Sequence, residues 1–211
     1  MFIIILNLYL HRIPQFFHWI YPNIIWRIPS SSKTIYLTFD DGPSPYITHF
    51  VLKELSKHQA KATFFCLGKN IEQHPETFKN IVEQNHTIGN HSYSHLNGWT
   101  SDKQTYSEDI NKCEKLISPS KKLFRPPYGR IKKNQINLLK SDYKIILWNY
   151  MVGDFDKRLS KEKCWERAKS NIKNGDIVVF HDNEKSFETL QYVLPRVLNH
   201  FTDKGYIFKS L

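Results

Sequence analysis

The chain has 211 residues, 40% apolar and 14% aromatic, which suits one globular domain with a sizeable core. Its formal net charge is +10, but the lysines are spread without a dense block, so the charge sets solubility and encounter with anionic partners rather than fold; no recognised motif accompanies it that would argue for nucleic acid. Three scattered cysteines, Cys66, Cys113 and Cys164, exclude a disulfide framework and a paired-cysteine zinc site.

Residues 2–10 are strongly apolar, yet nine residues cannot span a bilayer that needs about 20. They lack a basic n-region and a small-residue cleavage site, so a cleaved signal peptide is not expected. The compartment read from this is cytoplasmic or peripheral to a membrane. Beyond lies a stretch in which Phe16, Phe17, Trp19, Tyr21 and Trp26 alternate with Arg12, His18 and Arg27, punctuated by Pro14 and Pro22. Two readings fit it: a helical arm packed on the domain, or an interfacial anchor making peripheral membrane contact through residues 1–28. Residues 30–33, Ser-Ser-Ser-Lys, read as a flexible joint, dividing an aromatic arm (1–32) from a catalytic domain (33–211).

From residue 33 onward, β-branched runs alternate with amphipathic stretches. A strand at 35–39 is followed by a helix at 46–58, with Pro45 near its start and a stripe of Ile47, Phe50, Val51, Leu52 and Leu55. Then come strand 62–66, helix 70–84, strand 87–89, helix 102–117 and strand 123–125. The chain continues with helix 132–139, strand 144–148, helix 161–172, strand 176–180, helix 189–201 and strand 206–208. Such alternation predicts an α/β fold with about seven parallel strands, closed into a small, irregular (β/α) barrel or doubly wound.

Polar clusters fall just after these strands: Asp40 with Asp41, His91 with His95, residues 125–128, Asp154 and His181. In a (β/α) barrel the strand ends gather on one face, where catalytic groups collect. Adjacent carboxylates repel unless something answers their charge, and a cation is the usual answer. His91 and His95 are four apart, which on a helical turn puts both imidazoles on one face. One Asp and two His give three ligands and an open position for water, a donor set that suits zinc, with cobalt, nickel or manganese also accommodated. Taken singly, each residue has a bland alternative: a capping histidine, a structural histidine, a surface ion pair. The set favours a metal-dependent hydrolase.

Thr38-Phe39-Asp40-Asp41-Gly42, His91-Ser92-Tyr93-Ser94-His95, Arg125-Pro126-Pro127-Tyr128 and the late His181 resemble, in order, the motif set of the polysaccharide deacetylases, carbohydrate esterase family 4. The resemblance spans residues 33–210. It implies a distorted, incomplete (β/α) barrel that removes acetyl groups from N-acetylated sugars, such as chitin oligomers or peptidoglycan. Carried over, Asp41, His91 and His95 bind the metal and Asp40 is the general base. The backbone N–H of Tyr128 meets the tetrahedral oxygen, His181 protonates the departing amine, Asp154 orients His181, and Arg125 tethers Asp40. Pro127, Tyr128, Phe155 and Val179 line the substrate pocket, and Trp148 is either a core residue or a sugar-stacking platform. Two departures bear on specificity: the family usually has Trp where Phe155 stands, and Leu where Val179 stands. Asp156 is close enough to compete with Asp154 for its role. Rival functions are an O-acetyl esterase or a non-sugar amidase on the same site, or a non-catalytic barrel binding glycan or membrane. Competent residues at every catalytic position argue against a dead site, and the residues do not set an oligomeric state.

Overall fold

Every residue from Thr34 to Asp40 is buried, the pattern of a strand covered on both faces, and this strand lies within the sheet rather than at its edge. The computed structural model describes residues 10–117 and 121–211; most of the apolar run at 2–10 lies outside them. Elements run α1 (Phe16–Ile20), β1 (Ile24–Ile25), β2 (Thr34–Asp40), α2 (Pro45–Lys57), β3 (Thr63–Cys66), α3 (Gly68–Gln73), α4 (Pro75–Glu83) and β4 (Thr87–Asn90). They continue α5 (Lys103–Ile117), β5 (Leu123–Phe124), a 3-10 turn (Pro127–Gly129), α6 (Lys133–Leu139), β6 (Lys144–Ile146) and β7 (Tyr150–Met151). Last come α7 (Lys161–Asn171), β8 (Ile177–His181), α8 (Phe187–Asp203) and β9 (Ile207–Phe208).

The strands pair in parallel in the order β1-β6-β5-β4-β3-β2-β8-β7, with β9 beside the start of β2. The eight-strand path curls but does not close, giving the distorted, incomplete (β/α) barrel expected. Ile35, Leu37 and Phe39 on one face of β2 pack with α2 and α8 through Val51, Leu55, Leu194 and Leu198. Tyr36 faces the other core, with Phe65, Phe124 and Val179. Alternation puts Thr38 and Asp40 on the Tyr36 face, so Asp40 points inward at the end of its strand. Register places it beside His181 on β8 and Phe65 on β3.

All seven expected strands form, within two residues of their predicted ends. Two details differ. The helix expected over 70–84 is two, α3 and α4, because Pro75 lacks an N–H and forces His74 out of the helical region (φ −134°, ψ 56°). Two-residue strands β1 and β7 were not expected, being too short to show a period. The segment before residue 30 shares the barrel's core. β1 pairs with β6, the Met151 N–H donates to the His11 carbonyl (2.7 Å), and Ile13 and Trp26 are buried in the inner cluster. Among the described residues, no helix is long and apolar enough to cross a membrane.

Candidate active site

Asp41 follows the last residue of β2 with φ +82°, a left-handed turn that swings its side chain away from that of Asp40. Asn70 holds its carbonyl (2.6 Å). The next residue packs tightly: Gly42 donates its N–H to buried Asp182 (3.0 Å), and a Cβ there would sit 2.1 Å from an Asp182 oxygen. Asp182 also accepts from Thr48 (2.5 Å), and burial pushes its carboxyl up to about 7.

His91 and His95 leave β4 on a loop, not the helical turn expected. Ser92 and His95 adopt left-handed backbone (φ 66° and 63°), and Asp109 on α5 pins the loop through the Tyr93 N–H and the Ser94 hydroxyl. The effect is nonetheless convergence: the Nε2 atoms of His91 and His95 lie 3.5 and 3.2 Å from Asp41 Oδ1. His91 Nδ1 sits 2.8 Å from the Arg125 carbonyl, which can only accept, so Nδ1 carries a proton and Nε2 is the nitrogen turned to Asp41, available to a cation once it has given up its own proton. Asp41 Oδ2 accepts from Asn183 (2.6 Å), whereas Oδ1 is buried and accepts no hydrogen bond from the described residues. Burial works against ionisation of Asp41, but the two imidazoles more than offset it and hold the carboxyl well below the usual carboxylate range. A buried, unpartnered carboxylate oxygen facing two imidazole nitrogens, all within 4.8 Å of one another, fits a divalent cation.

Asp40 is clamped differently. Arg125, wholly buried, donates from Nη1 to Asp40 Oδ1 and Thr38 Oγ1 (both 2.7 Å) and from Nη2 to the Leu147 carbonyl (3.1 Å). Its guanidinium also lies over the Phe65 ring, 4.1 Å from the centroid. The clamp occupies one oxygen of Asp40 and fixes the other.

Across the site, Asp154 takes the His181 backbone N–H (2.7 Å) and its Nδ1–H (2.8 Å), leaving Nε2 as the free ring nitrogen. Burial alone would lower the imidazole's pKa, but Asp154, with smaller help from Asp41 and Asp40, raises it to about 9. The rival Asp156 is paired with Arg158 instead (2.9 Å). Tyr128 occupies a left-handed position (φ 59°) in its turn, whose closing hydrogen bonds are donated by Gly129 and Arg130. Its ring meets that of His95 edge-on at 4.4 Å.

Asp40, Asp41, His91, His95, Tyr128 and His181 line one cavity of about 580 Å³, with Trp148, Met151, Phe155 and Asn183 among its walls, while Arg125 and Asp154 are buried behind them. Trp148 is mostly buried, in the inner core, and its exposed edge forms a wall of the cavity. Val179 is wholly buried in the inner core, and Pro126 rather than Pro127 lines the cavity. Sequence reasoning passed over Asn183, Asp182 and Asn70. The signal for two of them was present, since Asp182 and Asn183 directly follow His181 at the end of a buried strand.

The model of the polysaccharide deacetylase family matches residues 27–143. The chain belongs to that family. A peptidoglycan-N-acetylglucosamine deacetylase of Bacillus cereus is 32% identical to this family member over 193 residues, 89% of this chain and 91% of the relative. The peptidoglycan-N-acetylmuramic acid deacetylase PdaC of Bacillus subtilis is 32% identical over 185 residues, a match that covers 85% of this chain but 38% of PdaC. Among solved structures, the Bc1960 peptidoglycan N-acetylglucosamine deacetylase, bound to a naphthyl N-hydroxybenzamide, superposes with a TM-score of 0.86 at 30% identity, covering 92% of this chain and 94% of that one. The deacetylases of this family are hydrolases, and this chain carries their barrel.

Proposed function

We propose that the protein hydrolyses the N-acetyl group of amino sugars in a peptidoglycan-like glycan, releasing acetate and leaving a free amine. The observation that carries this reading is the division of labour between adjacent acids: Asp41 faces two imidazoles, while Asp40 is clamped by Arg125 with one oxygen free. The names of the relatives supply the substrate class.

Asp41, His91 and His95 would hold the cation; their donor set favours zinc, with cobalt, nickel or manganese as alternatives. When bound, such an ion supplies Lewis acidity, easing deprotonation of a water and polarising a carbonyl. Asp40 accepts the proton of the attacking water on the oxygen that Arg125 leaves free. The Tyr128 N–H is the donor for the oxygen of the tetrahedral centre. His181 delivers a proton from Nε2 to the leaving nitrogen, and Asp154 keeps the ring charged and correctly turned until it does. Phe155, Trp148 and Met151 exclude water from the acetyl side of the cavity.

Acetate release from N-acetylglucosamine oligomers and peptidoglycan, set beside release from an O-acetylated xylan, tests the assignment. Preference for the N-acetyl substrates is expected; a preference for the O-acetyl polymer selects the esterase reading.

A further inference from the structure

The exposed large apolar residues include a local cluster: Leu10, Phe16, Trp19 and Ile20 all fall between positions 10 and 20. Helix α1 has no buried residue, and Trp19 is 77% exposed. Yet its base is firmly seated. The Phe17 ring leans on Trp26 (6.4 Å), His18 stacks on Trp26 (5.7 Å, 5° between planes), and Arg12 is paired with buried Asp176 (2.6 Å). A fixed, outward-facing apolar foot is therefore displayed by a segment anchored in the core.

We propose that α1 seats the protein on an anionic phospholipid bilayer, with Phe16, Trp19 and Ile20 entering the headgroup zone. A short aromatic-rich helix, with exposed Arg27 seven residues beyond its end, has the composition that lies in a lipid interface rather than across it. The net charge of +10 complements an anionic surface. A second copy of the chain is the weaker occupant: four partly exposed side chains offer roughly 400 Å², against the roughly 800 Å² per partner of a stable interface. The sequence before Leu10, Met-Phe-Ile-Ile-Ile-Leu-Asn-Leu-Tyr, carries no charged side chain and continues the apolar character up to the foot. Leu10, Ile13 and Trp26 also line the catalytic cavity, so docking through α1 brings that cavity to the membrane surface.

The test is co-sedimentation of the full chain with vesicles of phosphatidylglycerol and phosphatidylcholine, and with phosphatidylcholine alone; it reads binding without turnover. The parent is expected to favour the anionic vesicles. Phe16→Ser/Trp19→Ser/Ile20→Ser is expected to lower its partition about tenfold or more, with an unchanged melting temperature. Trp19→Ser alone, at the most exposed position, guards against misfolding of the triple variant and is expected to lower partition several-fold. Three results would overturn the proposal: no binding by the parent, equal binding by parent and variants, or substitutions that dissolve a dimer without changing vesicle binding.

Discussion

Arg125 Nη1 lies 2.7 Å from Asp40 Oδ1, and both side chains are buried, so one charge-assisted contact joins a residue after β5 to the last residue of β2. Breaking such a pair leaves an uncompensated charge in the barrel interior. Arg125→Met is expected to lose about 3–5 kcal/mol of stability, read as a fall in the denaturant midpoint, together with most acetate release. Arg125→Lys is not expected to rescue it, because a single ammonium cannot serve Asp40, Thr38 and the Leu147 carbonyl together. An Arg125→Lys protein with parental midpoint and turnover would contradict the clamp.

Asn183 orients Asp41 by donating to Oδ2, so that Oδ1 is left for a cation. Removing that donor with Asn183→Ala is expected to weaken zinc binding about 10- to 100-fold in a chelator-competition titration. Asn183 also accepts the Ser186 N–H just before α8, so a stability loss of about 1 kcal/mol accompanies it. Unchanged zinc affinity would remove Asn183 from the site.

How far the site could be read from the sequence depended on how far apart its parts lie. Asp40, Asp41 and His181 stand at the ends of strands whose β-branched runs are visible locally, Arg125 follows the short apolar pair Leu123-Phe124, and a parallel barrel brings such ends to one face. The four-residue spacing of His91 and His95 predicts a helical turn, but the loop's shape is set by Asp109, 14 residues beyond His95, and by left-handed backbone that spacing does not reveal. An arm packed on the domain is one of the two readings of the N-terminal segment, but its partners are not local: its hydrogen bonds reach Asn149 and Met151, and its ion pair reaches Asp176. The break at Pro75, by contrast, was legible in the residue itself and was passed over.

His181 carries a raised pKa, so its charged form persists above the ordinary imidazole value and is lost only as pH climbs through about 9 in the metal-free protein. The stability it contributes is therefore complete below about pH 6.5 and disappears as pH rises towards 9. NMR titration of the metal-free protein is expected to find this. A cation at Asp41 cancels one of the smaller attractions, so the alkaline limb of turnover in the loaded enzyme is expected below that value. Asp154→Asn removes the main attraction and leaves burial opposed only by the smaller pull of Asp40, moving the limb to lower pH still. An Asp154→Asn profile that coincides with the parent's would refute the pairing.

Gly129 combines φ +64° with close contact to Trp148: a Cβ there would lie 2.7 Å from Cη2 of the indole. Gly129→Ala is expected to cost about 1–2 kcal/mol from the left-handed backbone alone. It also pushes the turn that carries Tyr128 away from Trp148, so kcat is expected to fall while zinc affinity stays parental. A loss of zinc binding with kcat intact would invert this assignment.

The most direct measurement of the central claim is acetate release from N-acetylglucosamine oligomers by the full chain after exhaustive chelation, and again after zinc is restored. Activity is expected to vanish on chelation and to return with zinc, in a protein whose Asp40→Asn variant still binds the ion but turns over no substrate. Acetate release that continues undiminished in the fully chelated protein would contradict it.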